Sequence, residues 1–404
     1  MLDFVCLGFS LVFFWSTFVV LFGLLSKPKV YRKSTRHLKF AVLICARNEA
    51  RVIALPVRSI ALCKYPREDV DVIVLADNCT DDTAETARRA GATVWEKATP
   101  SRGKGDVLAW GVDKVLASGK YDAIAVFDAD NIVSAQWFEA VNDALLDGET
   151  VVTGCRHASN YAKNLISGWY AIYWGVMNEL SNRVRTNLGL SGKLTGTGFA
   201  CRVSAFEPGG WKTSTLVEDV EFTVQTNLAG RRVAYVPDAE YADEQPEDMR
   251  YMWRQLSRWS TGGWQVVVRY FGVWLRTFVR HPSCRLFDSF FAILTGMSVA
   301  FILLFNVLAF AYRLYSDDFA NRSATMFFMG ILGFVGVMGW FTAIAAVALS
   351  RHKRRPGALA ILTFPFFSFV QSCSLLYTLV RPSRKWKPIP HGLEEPEPEM
   401  EATA

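Results

Sequence analysis

The sequence predicts an α/β domain with a mainly parallel sheet, joined to an α-helical transmembrane region. Three observations predict it. Between about Lys39 and Met249, short apolar runs alternate with amphipathic stretches, which is the mark of repeated βαβ units. Polar residues follow directly on those runs. The two ends of the 404-residue chain are instead continuously apolar.

Residues Leu2 to Leu25 carry one charge, Asp3, at the edge of a run long enough to cross a bilayer core of ~30 Å as a helix. The run is too long, and too poor in leading basic residues, for a cleaved signal peptide. The basic stretch "SKPKVYRKSTRHLK" follows it and places the next segment in the cytoplasm by the positive-inside tendency. Those lysines and arginines are therefore read as topology signals, and no nucleic-acid partner is expected. Three further apolar runs, Leu286–Tyr312, Met326–Leu349 and Ala358–Val380, are each long enough to span. "RHKRRPG" between the last two is a second cytoplasmic signal. Pro365 leaves open whether the last run crosses or re-enters, and the basic "RPSRKWK" after it favours a cytoplasmic tail. The final "LEEPEPEMEATA" reads as disordered. The expected layout is a transmembrane helix over 1–27, a cytoplasmic domain over 36–250, interface helices over 251–283, two or three spans over 286–380, and a tail over 381–404. This describes an integral plasma membrane protein with its α/β domain in the cytoplasm and the lipid bilayer as a partner. The eight scattered cysteines form no Cys-x-x-Cys pair and read as reduced packing residues. Asn321-Arg322-Ser323 matches a glycosylation acceptor, a triplet common by chance.

Within the domain, "KFAVLICA" reads as a buried strand, followed by a helix over "EARVIALPVRSIALCK" that Pro56 should kink. "DVDVIVLA" is the next strand, with Thr80 or Asp81 capping the helix through Arg89. "ATVW", the helix "KGDVLAWGVDKVLAS" and the strand "DAIAVF" continue the alternation. Asn48 and Glu49 follow the first strand, Asp77 and Asn78 the second, and Asp128 and Asp130 the fourth. Parallel strands bring their carboxyl ends to one edge, where open α/β sheets bind ligands. Two carboxylates facing one crevice repel unless a cation lies between them or one is protonated. Hard oxygen ligands suit Mg²⁺ or Mn²⁺, held by one or two carboxylates and the phosphates of a substrate.

These residues resemble the membrane-integrated processive glycosyltransferases of family 2, which include hyaluronan, cellulose, chitin and chitooligosaccharide synthases. "ARNEA", "LADNCTDDTAE", "FDADN", "VEDVEF" and "QLSRW" match five motifs in order, across roughly Phe40 to Trp264. The resemblance implies a GT-A-like fold and a UDP-sugar donor. It implies that Asn48 belongs to the first nucleotide-binding motif, that Glu49 and Asp77 contact the uridine, that Lys104 reaches the donor, that Asp128 touches the nucleotide, and that Asp130, with Asp128, holds the metal. Asp219 would be the general base that deprotonates an acceptor hydroxyl in an inverting displacement. Glu218, Gln255, Arg258 and Trp259 would serve the diphosphate and the acceptor. Chemistry asks for such groups independently, because a departing diphosphate develops charge and a sugar hydroxyl is a weak nucleophile at neutral pH.

Plainer readings stand beside these. "VEDVEFTVQTNLAG" also reads as a helix with an acidic first turn and Gly230 as its stop. Tyr251, Trp253, Trp264 and Trp274 surround Trp259 as an interfacial aromatic belt would, although Gln255, Arg258 and Trp259 share one helical face. "TGTGFACRVSAF" lines the acceptor site in the family and is otherwise a tight turn, while Cys201 and His157 read as ordinary filling. Trp386 and His391 fall where related enzymes carry a gating loop, with basic membrane anchoring ranked first. The sequence departs from the family in having Val217 where cellulose synthases carry Thr, in lacking a Phe-x-Val-Thr-x-Lys motif, and in its few spans. Three functions stay open: extension of a β-linked polysaccharide or oligosaccharide, transfer of one sugar to a glycolipid, or a transporter with a nucleotide-sensing domain. A homo-oligomer is among the assemblies left open.

Overall fold

The computed structural model describes residues 2–206, 209–315, 322–350 and 355–383. The tail residues Trp386 and His391, and Asn321 of the glycosylation triplet, lie outside them.

Eight strands form one sheet in the order β3-β2-β1-β4-β7-β6-β8-β5. Its first half is wholly parallel: β1 (Phe40–Ala46) lies between β2 (Val70–Asp77) and β4 (Ala123–Asp128), with β3 (Thr93–Lys97) outside β2. The second half is mixed. β5 (Ile132–Val133) runs antiparallel to β8 (Val233–Asp243), β6 (Val151–Ala158) runs parallel to β8, and β7 (Phe199–Arg202) is antiparallel to both β4 and β6.

The period of two in β1 sorts its side chains between two cores, as a strand covered on both faces requires. Phe40, Val42 and Ile44 pack with Val57 and Ile60 of α2 (Ala54–Ala61), Ala87 of α3 (Thr83–Ala90) and Phe138 of α5 (Trp137–Leu146). Ala41 and Leu43 pack on the other face with Val107, Leu108 and Val112 of α4 (Lys104–Ser118) and Phe222 of α8 (Glu218–Leu228). Cys201 is fully buried in this second core.

Two local expectations are corrected. Pro56 does not kink a helix, because α2 starts only at Ala54; proline is then in the first turn, where its missing N–H has no intrahelical partner to lose. The residue at the N-cap of α3 is Asp82 rather than Thr80 or Asp81, although the Asp81 carboxylate does accept the Thr83 N–H at 3.1 Å.

After β6, the chain forms α6 (Leu165–Gly175), a π-helical segment over Val176–Arg183 and the short α7 (Val184–Asn187). One 32-residue helix, α9 (Met249–Arg280), occupies the stretch read as one or two interface helices, and its start is capped by Asp248, which accepts the Arg250 N–H at 2.7 Å. Its second half exposes Val268, Phe271, Leu275 and Val279. Helices α1 (Leu2–Leu25), α10 (Cys284–Tyr315), α11 (Arg322–Leu349) and α12 (Ala358–Val380) complete the fold. Pro365 lies inside α12, which continues through it. Among the described residues, Cys284–Phe305 and Ala358–Val380 are long and apolar enough to cross a membrane.

Buried contacts tie the helical region to the α/β domain. Asp288 of α10, fully buried, accepts the Trp15 indole N–H at 3.0 Å and pairs with Arg185 of α7 at 2.9 Å. On the other side, a Cβ at Gly262 of α9 would run into Val217, so only glycine lets α9 approach the residue that precedes Glu218 and Asp219. Val217 is buried with Val224 and Val266, an apolar setting that suits valine at this position.

Candidate active site

A cavity of about 1820 Å³ opens at the carboxyl edge of the parallel half-sheet and is roofed by α9, α10 and α12. Glu49, Asp77, Lys104, Asp128, Asp130, Glu218, Asp219, Gln255, Arg258 and Trp259 all line it. Of the residues singled out from sequence, Asn48 does not. It and Asn78 are the two non-glycine residues with left-handed backbone among those described, at φ +59° and +50°, just beyond β1 and β2. Asparagine tolerates that conformation better than most residues, and the Asn48 carboxamide accepts the Thr80 N–H at 2.8 Å, closing the turn. Its place is in the shape of the rim.

At the β2 end of the cavity, Asp77 accepts hydrogen bonds from Ser101 Oγ at 2.5 Å and Asn78 Nδ2 at 2.8 Å and pairs with Arg47. At the β4 end, the backbone N–H of Asp128 is shared between Asn131 Oδ1 and Thr197 Oγ1, each at 2.9 Å, which fixes the turn that carries Asp130. Lys104, from the first turn of α4, pairs with Asp128 and donates to the Gly196 carbonyl at 2.7 Å. Asp130 Oδ2 accepts the Glu244 N–H at 3.3 Å.

Beside the start of α4 stands α8, where a Cβ on Gly105 would come 3.4 Å from the Glu218 Cβ. Glu218 and Asp219 begin this helix, and Asp219 Oδ2 lies 3.8 Å from where a Cβ on Gly196 would stand. Gly196 has φ +89°, so the loop between α7 and β7 carries both the turn and the clearance that brings Lys104 and Asp219 to one side of the cavity. Burial pushes the Glu218 carboxyl up to about 7; the Asp219 carboxylate adds to this, while Lys104 and Arg258 oppose it. A carboxyl raised in the folded protein keeps its proton where the unfolded chain has lost it. Glu218 therefore makes stability fall as pH rises from its ordinary 4.5 to about 7, with no further loss above. Thermal unfolding of Glu218→Gln across this window is expected to gain steadily on wild type; parallel curves would count against the raised value.

From α9, Arg258 donates to the Leu216 carbonyl at 3.0 Å, just before Glu218. Trp259 is stacked on Tyr173, with ring centroids 5.8 Å apart, and meets Trp174 edge-on at 5.8 Å. Gln255 Oε1 is buried without a hydrogen-bond partner among the described residues, an acceptor available to a ligand hydroxyl.

Arg47, Arg156 and Lys193 are among the lining cations that escaped the sequence reading. The register of β6 and β8 shifts between Thr153 and Cys155, and beyond that bulge Arg156 pairs with Asp243, its guanidinium 3.8 Å above the Trp174 ring. No local pattern announces such a pair. For Arg47 a signal existed, since it precedes Asn48 in the first motif. His157 lies 3.6 Å from Glu240.

Among the described residues, no cluster of three or more His, Cys, Asp or Glu side chains gathers around one point. Asp128 and Asp130 nonetheless offer hard oxygen donors at the lip of the cavity. Cys45, the nearby soft donor, is kept a thiol because burial pushes its pKa far up. This donor set fits Mg²⁺ or Mn²⁺ completed by substrate oxygens and water.

A half-sheet of parallel strands whose carboxyl ends deliver carboxylates to one crevice, extended by a mixed half, is the GT-A fold of glycosyltransferases. The solved mannosyltransferase PcManGT from Pyrobaculum calidifontis, in complex with GDP-Man and Mn²⁺, shares it with a TM-score of 0.62 at 16% identity, over 93% of this chain and 99% of that one. The chain belongs to the glycosyltransferase-like family 2, whose pattern matches residues 37–262. The probable glycosyltransferase YdaM of Bacillus subtilis (strain 168) is 26% identical over 86% of this chain and 83% of its own length. Beta-monoglucosyldiacylglycerol synthase of Nostoc sp. is 28% identical over 62% of this chain and 54% of its own. Poly-beta-1,6-N-acetyl-D-glucosamine synthase of Staphylococcus aureus (strain COL) is 26% identical over 66% of this chain and 64% of its own. The chain thus spans less than two thirds of the length of the last two.

Proposed function

We propose that this family 2 glycosyltransferase is a membrane-bound inverting enzyme that moves a sugar from a UDP-sugar to the hydroxyl of a growing β-linked polysaccharide or oligosaccharide. The observation that carries the reading is the sharing of one cavity by Asp77, Asp128, Asp130 and Asp219. Glu49 and Asp77 hold the uridine, with Asn48 shaping the rim. Asp128 and Asp130 hold Mg²⁺ or Mn²⁺, which when bound neutralises charge on the departing diphosphate. Lys104 and Arg258 add fixed positive charge there. Asp219 accepts the proton of the acceptor hydroxyl as that oxygen attacks the anomeric carbon. Trp259, backed by Tyr173, presents a ring face for the acceptor sugar, and Gln255 an acceptor for its hydroxyls. The apolar helices seat this domain on the cytoplasmic face of the plasma membrane.

A glycolipid acceptor is the second reading, favoured by Ile293 and Met297 of α10 and Leu375 of α12, which give the cavity an apolar side between the roof helices. The S. aureus relative supports the first reading no more strongly than the Nostoc relative supports the second.

Membranes carrying the full chain, incubated with labelled UDP-sugars and Mn²⁺, test both. Long products support chain extension, and lipid-sized products the glycolipid reading. Absence of transfer would return the transporter reading. Chelation with EDTA is expected to abolish transfer, and added Mn²⁺ or Mg²⁺ to restore it; undiminished transfer in EDTA would remove the metal role of Asp128 and Asp130.

A further inference from the structure

We propose that Lys193 recognises an anionic group, a carboxylate or a phosphate, carried by the acceptor close to its attacking hydroxyl. The inference deepens the glycosyl-transfer reading and rests on it.

The cations lining the cavity are mostly committed. Arg47 pairs with Asp77, Arg102 with Asp106, Lys104 with Asp128 and Arg156 with Asp243. Arg258 donates to a carbonyl, and Arg254 lies over the Tyr251 ring. Lys193 differs from all of these. Its backbone is pinned by both polar atoms of the Asn182 carboxamide, at 2.8 and 3.1 Å, and the next residue donates to Thr223 Oγ1 at 3.1 Å. Its ammonium lines the cavity and makes no hydrogen bond or ion pair among the described residues. A long cationic side chain is thus held at a fixed point in a wall without a contact partner.

The charged groups that bear on it are Asp219, which attracts it, and Arg185, which repels it and is already committed to Asp288. Burial pushes the Lys193 pKa below its usual value despite Asp219, so the surrounding charge does not compensate the loss of water. An anion arriving beside it would supply that compensation through charge-assisted hydrogen bonds. Lys193 lies three residues before Gly196, beside which Asp219 Oδ2 stands, and its neighbour Leu194 is bonded to Thr223, whose hydroxyl in turn donates to the Asp219 carbonyl. It thus lies with Asp219, in the cavity that Tyr173 and the ring stacked on it, Trp259, also line. That is the acceptor end of the cavity. The anion Lys193 meets therefore belongs to the acceptor whose hydroxyl Asp219 deprotonates.

The test uses the purified full chain with labelled UDP-glucose, UDP-N-acetylglucosamine or UDP-glucuronate and two pairs of acceptors. One pair is a glucuronate-terminated and a glucose-terminated disaccharide. The other is phosphatidylglycerol and diacylglycerol, in vesicles whose surface charge is held constant with phosphatidylserine. Wild type is expected to prefer the anionic member of one pair. Lys193→Met should raise KM for that member about tenfold or more, the loss of one charge-assisted contact, with kcat nearly kept; Lys193→Arg should retain the preference. The responding pair distinguishes a carboxylate from a phosphate. Equal KM within both pairs overturns the proposal while leaving glycosyl transfer intact. So does a Lys193→Met variant that lowers kcat for every acceptor and displaces the acidic limb of the pH profile, which would make Lys193 a positioning residue for Asp219. Absence of transfer to all four acceptors overturns the reading beneath it as well.

Discussion

Asp219→Asn is expected to lower kcat by ~10²–10⁴-fold, the usual worth of a general base, while UDP binding stays unchanged. The substitution keeps the size and polarity of the side chain and removes only its capacity to accept a proton. Asp219 stands in the first turn of α8, a different element from those that carry the carboxylates at the β2 and β4 ends, so the donor pocket should not notice the change. Single-turnover transfer and calorimetric titration with UDP, run side by side, decide the matter. Loss of UDP affinity would move Asp219 into the donor pocket.

Arg258→Met is expected to cost ~10²–10³-fold in kcat, the typical effect of removing one fixed donor from a developing anion. The charge at stake appears as the diphosphate departs, so the loss should fall on kcat rather than on donor affinity. Arg258→Lys should recover little. The guanidinium uses one nitrogen on the Leu216 carbonyl while keeping others for the phosphate, and a lysine has no such fork. A loss confined to KM for the donor would show that Arg258 binds the ground state and leaves the transition state to other groups.

Much of the parallel half was legible because each level of the sequence pointed the same way. In α4, the range Lys104–Ser118 follows from apolar periodicity flanked by Gly103 and Gly119, the latter at φ +61° in the turn that ends the helix. β1, β2 and β4 announce themselves as apolar runs followed by polar residues, which is how buried parallel strands ending in a crevice must read. The stretch from Leu165 to Asn187 was not legible. α6 buries Ser167, Gly168, Trp169, Tyr170, Ile172 and Trp174, which leaves no polar stripe for periodicity to reveal, and nothing local marks the π-helical turn after it. Arg156 and Lys193 were missed for a related reason. One meets Asp243 across 87 positions of sequence, and the other matters through the partner it lacks. Pro56 misled because its effect depends on where the helix begins, which side-chain pattern places only within a few residues.

The Arg185–Asp288 pair, with the Trp15 indole on the same carboxylate, bears on how this enzyme can be handled. Its arginine belongs to the sugar-transferring globule, its aspartate and indole to the flanking helices. Cutting the chain at Arg280 to obtain a water-soluble fragment would remove Asp288 and uncover Arg185 beside apolar surface that α10 had sealed, leaving the guanidinium without its carboxylate. Fragment engineering should therefore begin by replacing Arg185 with an uncharged residue of similar length, before any boundary is chosen.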